Sequence, residues 1–248
     1  MTLGVREASE AYERSMRNMA AAGPGVCHIC RGFIDADYQT CYPCEFQPST
    51  LDAVVPITYS EHLGQMHTAL RTYKEGESPA IRAYAAVRLA AILWRFLGTH
   101  EQCVADAAGV HGFDLVTTVP SSNPERDEHS ALRVVAETVE PIKARLRRAL
   151  RATGTVAGRE FSPDRFKAVE PVTGSSILLL DDTWVTGGHA RSAAHALRQA
   201  GAAKVSLVVI GRHIHRDYEP VKGSGTDCGD LLDALPDAFS WASCAVEG

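Results

Sequence analysis

The stretch that most constrains this chain runs Ile177-Leu178-Leu179-Leu180-Asp181-Asp182-Thr183-Trp184-Val185-Thr186-Gly187-Gly188-His189-Ala190. An unbroken apolar run without alternation reads as a strand buried on both faces, which is the signature of a parallel sheet. Asp181 and Asp182 follow at its carboxyl end, where open parallel sheets place their ligands. Gly187 and Gly188 let the backbone approach an anion closely. The alanine-rich segment after them reads as a helix whose first turn offers unpaired amides and a positive dipole end. Paired carboxylates beside an anion-binding turn suit a phosphorylated sugar. The alternative is a buried strand followed by an ordinary acidic turn.

A second constraint lies near the start. Cys27-x-x-Cys30 and Cys41-x-x-Cys44 are ten residues apart, enough for a short hairpin, with Gly32 and Asp35 to Asp37 as turn residues. Two such pairs can close a tetrahedral thiolate site that leaves no open position, the mark of a structural rather than a catalytic metal. Zn²⁺ is the expected ion, with iron as the other four-thiolate option. Two disulfides or a thioredoxin-like redox pair are the competing readings. Cys103 reads as a small buried residue in a helix. Cys228 and Cys244 are left over, open to a second site or a fold-back onto the first.

Strand and helix patterns alternate along the rest of the chain, which indicates an α/β parallel sheet flanked by helices. The pattern predicts a charged helix over 1 to about 22, strands at 54–59, 113–119, 176–182 and 204–210, and helices at 62–73, 79–97, 128–139 and 189–200. The second of those helices carries Ile81, Tyr84, Ala85, Arg88, Leu89, Ile92 and Leu93 at 3.6-residue spacing. Gly154, Gly158 and Pro163 break any period between 145 and 170. The expected organisation is an N-terminal helical segment (1–25), a four-cysteine module (26–48), the α/β domain (49–218) and a C-terminal tail (219–248). A chain of 248 residues with a net charge of −5 has room for one full domain and argues against a generally basic nucleic-acid surface. No apolar run approaches the roughly 20 residues needed to span a bilayer. The charged N-terminus is unlike a signal peptide, so a cytoplasmic location is expected.

Another strand, Asp114 to Val119, runs into Pro120-Ser121-Ser122-Asn123, with Arg126 and His129 close behind. Hydroxyls and a guanidinium suit a pyrophosphate group; the bland reading is a strand-ending turn with a solvated arginine. Lys143, Arg145, Arg147, Arg148 and Arg151 form a basic cluster, read either as part of a mobile loop over the diphosphate or as a solvated basic face. Few aromatics interleave with these arginines, so a single-strand nucleic-acid platform is not indicated.

The 177–190 segment resembles the phosphoribosyl-diphosphate (PRPP) binding motif of type I phosphoribosyltransferases. The resemblance implies that Asp181 and Asp182 hold the ribose hydroxyls, while Val185, Thr186, Gly187, Gly188 and His189 cradle the 5′-phosphate. Ser121, Ser122 and Arg126 would then face pyrophosphate. Thr183 and Trp184 stand where aliphatic residues are usual, and His189 where a small hydroxyl residue is common. The layout as a whole is similar to the ComF-type phosphoribosyltransferases, which join a four-cysteine zinc module to such a domain. A Tyr/Lys-bearing segment between the two is matched by Tyr59 through Leu70-Arg71-Thr72-Tyr73-Lys74-Glu75-Gly76. A further family stretch aligns with Val119-Pro120 through Arg126-Asp127-Glu128-His129, except at its last three residues. What this implies is an Mg²⁺-assisted transfer of phosphoribose from PRPP to a nitrogenous acceptor, with structural Zn²⁺ and a homodimer expected. The opening Met1-Thr2-Leu3 lacks an N-terminal nucleophilic cysteine, so no glutaminase activity is expected. A ComF-type protein could alternatively sense PRPP or a nucleotide without catalysis, in association with DNA uptake.

Overall fold

A parallel sheet buried on both faces is built from the apolar runs of the chain. The computed structural model describes residues 4–246. In chain order it forms α1 (Val5–Glu13), α2 (Tyr42–Phe46), β1 (Ala53–Glu61), α3 (Gln65–Glu75), α4 (Pro79–Ala107), β2 (Leu115–Thr118), α5 (Pro124–Glu128), α6 (Ala131–Glu137) and α7 (Glu140–Lys143). There follow β3 (Leu150–Ala152), β4 (Phe166–Ala168), β5 (Ser176–Trp184), α8 (Gly188–Gln199), β6 (Lys204–Ile214) and α9 (Cys228–Asp233).

The main sheet has the order β1-β6-β5-β2 and every pairing is parallel. Successive side chains of a strand point to opposite faces, so each strand feeds two cores. Val55, Ile57, Leu178, Leu180, Val208 and Ile210 meet Leu89, Ile92, Leu93 and Phe96 of α4, with α3 beside them. Ile177, Leu179, Val205, Leu207 and Val209 meet Ala190, Ala193, Ala194 and Leu197 of α8. The result is an α/β parallel sheet flanked by helices. The small residues of α8 let that helix lie close on the sheet. β3 and β4 form a separate antiparallel pair.

The sheet's carboxyl edge is uneven, and this matters for the site. Thr118 ends β2 opposite Leu180, so residues 181–184 of β5 overhang that neighbour. On the other side Asp181 pairs with Val209 and Trp184 with Arg212.

Several element bounds differ from the pattern-based expectation, each for a local reason. Helix α1 stops at Glu13; beyond it the Arg17 amide donates to Thr58 Oγ1 at 2.8 Å and the Thr58 hydroxyl donates back to the Arg17 carbonyl at 2.9 Å. An extended segment satisfied by a strand's side chain has no need of helical bonds. Helix α4 runs ten residues beyond Leu97, to Ala107, and ends at Gly109 with φ +69°. Its first turns project: Ile81 and Tyr84 are exposed, and the buried stripe begins only at Ala85. The helix expected over 128–139 is α6 alone, opened by the Ser130 cap, and a separate short helix α5, capped by Asn123, precedes it. The unassigned stretch 145–170 contains β3, β4 and the long turn between them.

Residues after α9 pack back on the domain. The Arg95 guanidinium lies 4.0 Å from the Trp241 ring centroid, and Asn18 and Ser240 exchange two hydrogen bonds of 2.9 and 2.7 Å. No described helix is long and apolar enough to cross a membrane.

Candidate functional site

Asp181 and Asp182 lie inside β5 rather than after it, on the part that overhangs β2. Asp182 is 4% exposed and shares the face of Leu178 and Leu180, where α3 passes. The Tyr73 hydroxyl donates to Asp182 Oδ2, and Lys74 Nζ forms an ion pair with the same oxygen. Burial, then the Asp182 charge, holds the Tyr73 hydroxyl far above its ordinary range. For Lys74, burial pulls the ammonium down, but the charge and hydrogen bond of Asp182 outweigh it and the net direction is up. The Lys74 charge also acts on Asp181, but more weakly than what opposes ionisation there. Burial and the neighbouring Asp182 charge push its carboxyl up to about 8. The main-chain N–H of Asp182 donates to Asp181 Oδ1 at 2.9 Å.

The turn between β5 and α8 is held by two constraints at one glycine. Gly187 has φ +81°, in the left-handed region, and a Cβ there would run into the Trp184 ring. Trp184, unusual at this place in the motif, is a fully buried floor beneath the turn. Gly188 is needed for a different reason: a Cβ would collide with the Arg159 carbonyl and the backbone of Glu160 and Phe161. The long β3–β4 turn thus lies directly on the first turn of α8. Thr186 Oγ1 donates to the Arg159 carbonyl at 3.5 Å, and the Ser162 amide donates to Ser192 Oγ at 2.9 Å.

Ser122, His189 and Arg165 meet at this place. His189 Nε2 lies 3.3 Å from Ser122 Oγ and 3.3 Å from the Gly158 carbonyl. Arg165, only 2% exposed, donates to Ser122 Oγ at 3.3 Å and to the Glu160 carbonyl at 2.8 Å, while its buried Nε has no partner among the described residues. Burial lowers both the guanidinium of Arg165 and the imidazole of His189, and for His189 the Arg165 charge adds to it. The residues singled out from the sequence divide accordingly. Asp181, Asp182, Thr186, Gly187, Gly188, His189 and Ser122 converge on the overhang and its turn. Ser121, Val185 and Arg126 stand at the rim, where Ser121 Oγ accepts the Asn123 amide at 3.4 Å. Arg126, with a side chain 74% exposed, reaches back to Glu75 at 3.9 Å. Arg145 and Arg148 of the basic cluster are committed elsewhere, to Glu101 and to the Asp127–Glu128 pair. The segment lying on the turn is 156–162, beyond that cluster.

The four cysteines form a second centre. Cys27, Cys30, Cys41 and Cys44 bring their sulfurs within 4.8 Å of one another, and Cys30 and Cys41 are 3.6 Å apart. Tetrahedral thiolates at about 2.3 Å from zinc are separated by roughly 3.8 Å, so the donor set and its spacing fit that ion. No described cysteine is in a disulfide. The first knuckle closes through Arg31, at φ +58°, with the Cys27 amide donating to the Gly32 carbonyl at 2.8 Å. Crowded without a cation, the sulfurs divide their protons. Hydrogen bonds from Cys27 and the others hold Cys30 well below the ordinary thiol range, and the same neighbours push Cys41 and Cys44 up.

Arg212 joins the two centres. Its guanidinium lies against Gly32, with the Cys30 and Cys41 charges nearby, and Nη1 donates to the Trp184 carbonyl at 3.5 Å and to the His213 carbonyl at 2.5 Å. Burial pulls it down, yet the Cys30 and Cys41 charges hold it above its usual range. Cys228 is buried with Tyr59, Ile214 and Leu232, burial raising its thiol to about 11, and Cys244 lies in the α4-side core. Neither belongs to a metal-ligand group.

Three residues of these centres are not singled out by the sequence; Arg212, with His213, His215 and Arg216 after the expected strand 204–210, reads either as facing the pocket or as capping the strand end. Tyr73 and Lys74 lay in the segment matched to the ComF-type proteins, though without a role. Arg165 sits in a stretch without period.

Fold and site together define an α/β protein with an acidic overhang, a glycine turn opening a helix, and a four-thiolate module docked beside them. Among solved structures, a hypoxanthine phosphoribosyltransferase from Staphylococcus aureus is similar over 57% of this chain and 83% of that chain, at 14% identity and a TM-score of 0.32. At that level the likeness says nothing about activity. No family model matches the sequence, and no curated protein matches it.

Proposed function

We propose that the protein is a phosphoribosyltransferase that binds PRPP with Mg²⁺ and transfers phosphoribose to a nitrogenous acceptor, releasing pyrophosphate. One observation carries the reading: two adjacent carboxylates overhang the sheet's carboxyl edge directly before a left-handed glycine turn that opens a helix. In this reading Asp181 and Asp182 accept hydrogen bonds from the ribose hydroxyls. The amides at the start of α8, with Thr186, hold the 5′-phosphate. Ser122 and the buried Arg165, whose Nε is unpartnered, face the diphosphate. Mg²⁺, when bound with the substrate, supplies charge neutralisation to the leaving group. Lys74 holds the Asp182 carboxylate in place until hydroxyls arrive. Because residues 158–161 lie on the turn, this segment moves aside for the phosphate and is suited to close over it, excluding water. Zn²⁺ in the cysteine module has a structural role, since four thiolates leave no position for water. A cytoplasmic, homodimeric protein belongs to the same proposal, as does the division into the segments 1–25, 26–48, 49–218 and 219–248.

The test is calorimetry of zinc-replete protein with Mg²⁺-PRPP, together with a pyrophosphate-release assay across bases, amines and ammonia. Binding with release for one acceptor class supports the enzyme. Binding without release for every acceptor supports instead a sensor of PRPP or a nucleotide, associated with DNA uptake. No heat with PRPP or any ribonucleotide overturns both.

A further inference from the structure

Four of the ten histidines of the chain gather on the far side of the carboxyl edge, at the ends of β1 and β6. His62 follows β1 directly, its amide donating to the Ile214 carbonyl at 2.7 Å. His67 lies in the first turn of α3, and His213 is the penultimate residue of β6. Each offers a ring nitrogen within 4.8 Å of the other two. The His215 ring stacks on His62 at 4.2 Å between centroids and meets His213 edge-on at 5.0 Å. Three separate elements therefore aim imidazoles at one point. Two of the three are half-buried and His62 is exposed, so an ion reaches them from solvent.

We propose that His62, His67 and His213 form a second metal site, distinct from the cysteine cluster, that takes a borderline divalent ion such as Zn²⁺, Co²⁺ or Ni²⁺. Imidazole is the ligand these ions favour among side chains without sulfur. Nitrogens around zinc at about 2.0–2.1 Å stand roughly 3.4 Å apart, so the rings close inward by about an ångström on binding. At the protein surface such a shift displaces water rather than packed side chains. Three ligands leave a position for water or a further donor, unlike the closed four-thiolate centre.

The surroundings are compatible with this. Burial, then the neighbouring imidazoles, lowers His67, and the same causes lower His213 to about 4. Two cations stand nearby, but Arg71 is paired with Glu75 at 3.6 Å and Arg212 faces the thiolates. His67 Nδ1 accepts the Leu63 amide at 3.0 Å. Coordination through either ring nitrogen releases that amide. Leu63 is 75% exposed, so water takes over the bond.

The experiment uses protein without a histidine tag, carrying one equivalent of zinc in the cysteine site by elemental analysis. Cobalt(II) is titrated in and followed by absorption, with calorimetry alongside. The expected result is one further equivalent bound, with ligand-field bands and no sulfur-to-cobalt charge transfer. The combined variant His62→Ala/His67→Ala/His213→Ala is expected to lose that equivalent while keeping its zinc and its unfolding temperature. No further equivalent in the original protein overturns the site, as does undiminished binding by the variant or a spectrum showing thiolate ligation. PRPP plays no part in this test, so its outcome is independent of the phosphoribosyltransferase reading.

Discussion

The aspartate pair and the cysteine cluster pose one electrostatic problem and solve it differently. Both crowd acidic groups at the buried end of the sheet. Asp182 carries its own counter-ion, because Tyr73 and Lys74 of α3 converge on one of its oxygens. The four sulfurs have chiefly one another, and their mutual hydrogen bonds lower Cys30 and raise Cys41 and Cys44. The first arrangement is complete in itself and can exchange its internal partner for a ligand. The second is a donor set that can hold a divalent cation.

The strongest challenge to this contrast is removal of the metal. Cys30→Ser, or a strong chelator, is expected to release the ion and lower the thermal midpoint on the order of 10 °C, the scale of a few kcal/mol for a chain of this size. Calorimetry and metal analysis check it; an unaltered midpoint would mean the thiols need no cation. Next in size is Asp182→Asn, which keeps the shape of the overhang but removes its charge. Affinity for Mg²⁺-PRPP should fall at least about tenfold, and a lost electrostatic contact of this kind commonly reaches about 10²–10³ in rate. Unchanged binding would strip Asp182 of its ribose role.

Lys74→Met probes the internal counter-ion. It leaves a carboxylate 4% exposed with only the Tyr73 hydroxyl, but the lysine side chain is itself 45% exposed. Solvent screening therefore places the loss near 1 kcal/mol, read by chemical denaturation. Adding Asp182→Asn should restore part of it, and a strictly additive double variant would show that the two do not interact. A pH dependence belongs to Asp181, whose carboxyl burial and the Asp182 charge push up from 3.8 to about 8 in the folded protein. Between those values the folded state binds more protons, so stability from this group declines as pH rises from about 4 to about 8 and is level above that. Asp181→Asn should remove that decline from a plot of unfolding free energy against pH. The same slope in both proteins would assign it to another group.

What could be read from the chain in advance follows from how local each signal is. The run Ile177–Leu180 is buried on both faces because its neighbours in the sheet are as apolar as it is, and continuous hydrophobicity states that directly. The cysteine knuckles are closed by residues three apart, so their spacing is their geometry. Arg165 is different: what buries it is Ser122, 43 residues away, together with its own turn, and no period in Pro163-Asp164-Arg165 announces that. Tyr73 and Lys74 reach Asp182 across 109 and 108 positions, a meeting made only when α3 crosses the strand ends. The overhang, too, is a property of two strands of unequal length. Neither sequence alone contains it.

Arg212 has a practical consequence for anyone trimming this protein. It lies against Gly32 of the first knuckle with one part of its guanidinium and donates to the carbonyl under the glycine turn with another. Cutting away the cysteine module to obtain a minimal domain would remove the knuckle against which that cation lies, leaving it only the Trp184 and His213 carbonyls. The small N-terminal piece is better understood as the floor joist of the pocket than as an ornament, and a truncated protein should be judged accordingly.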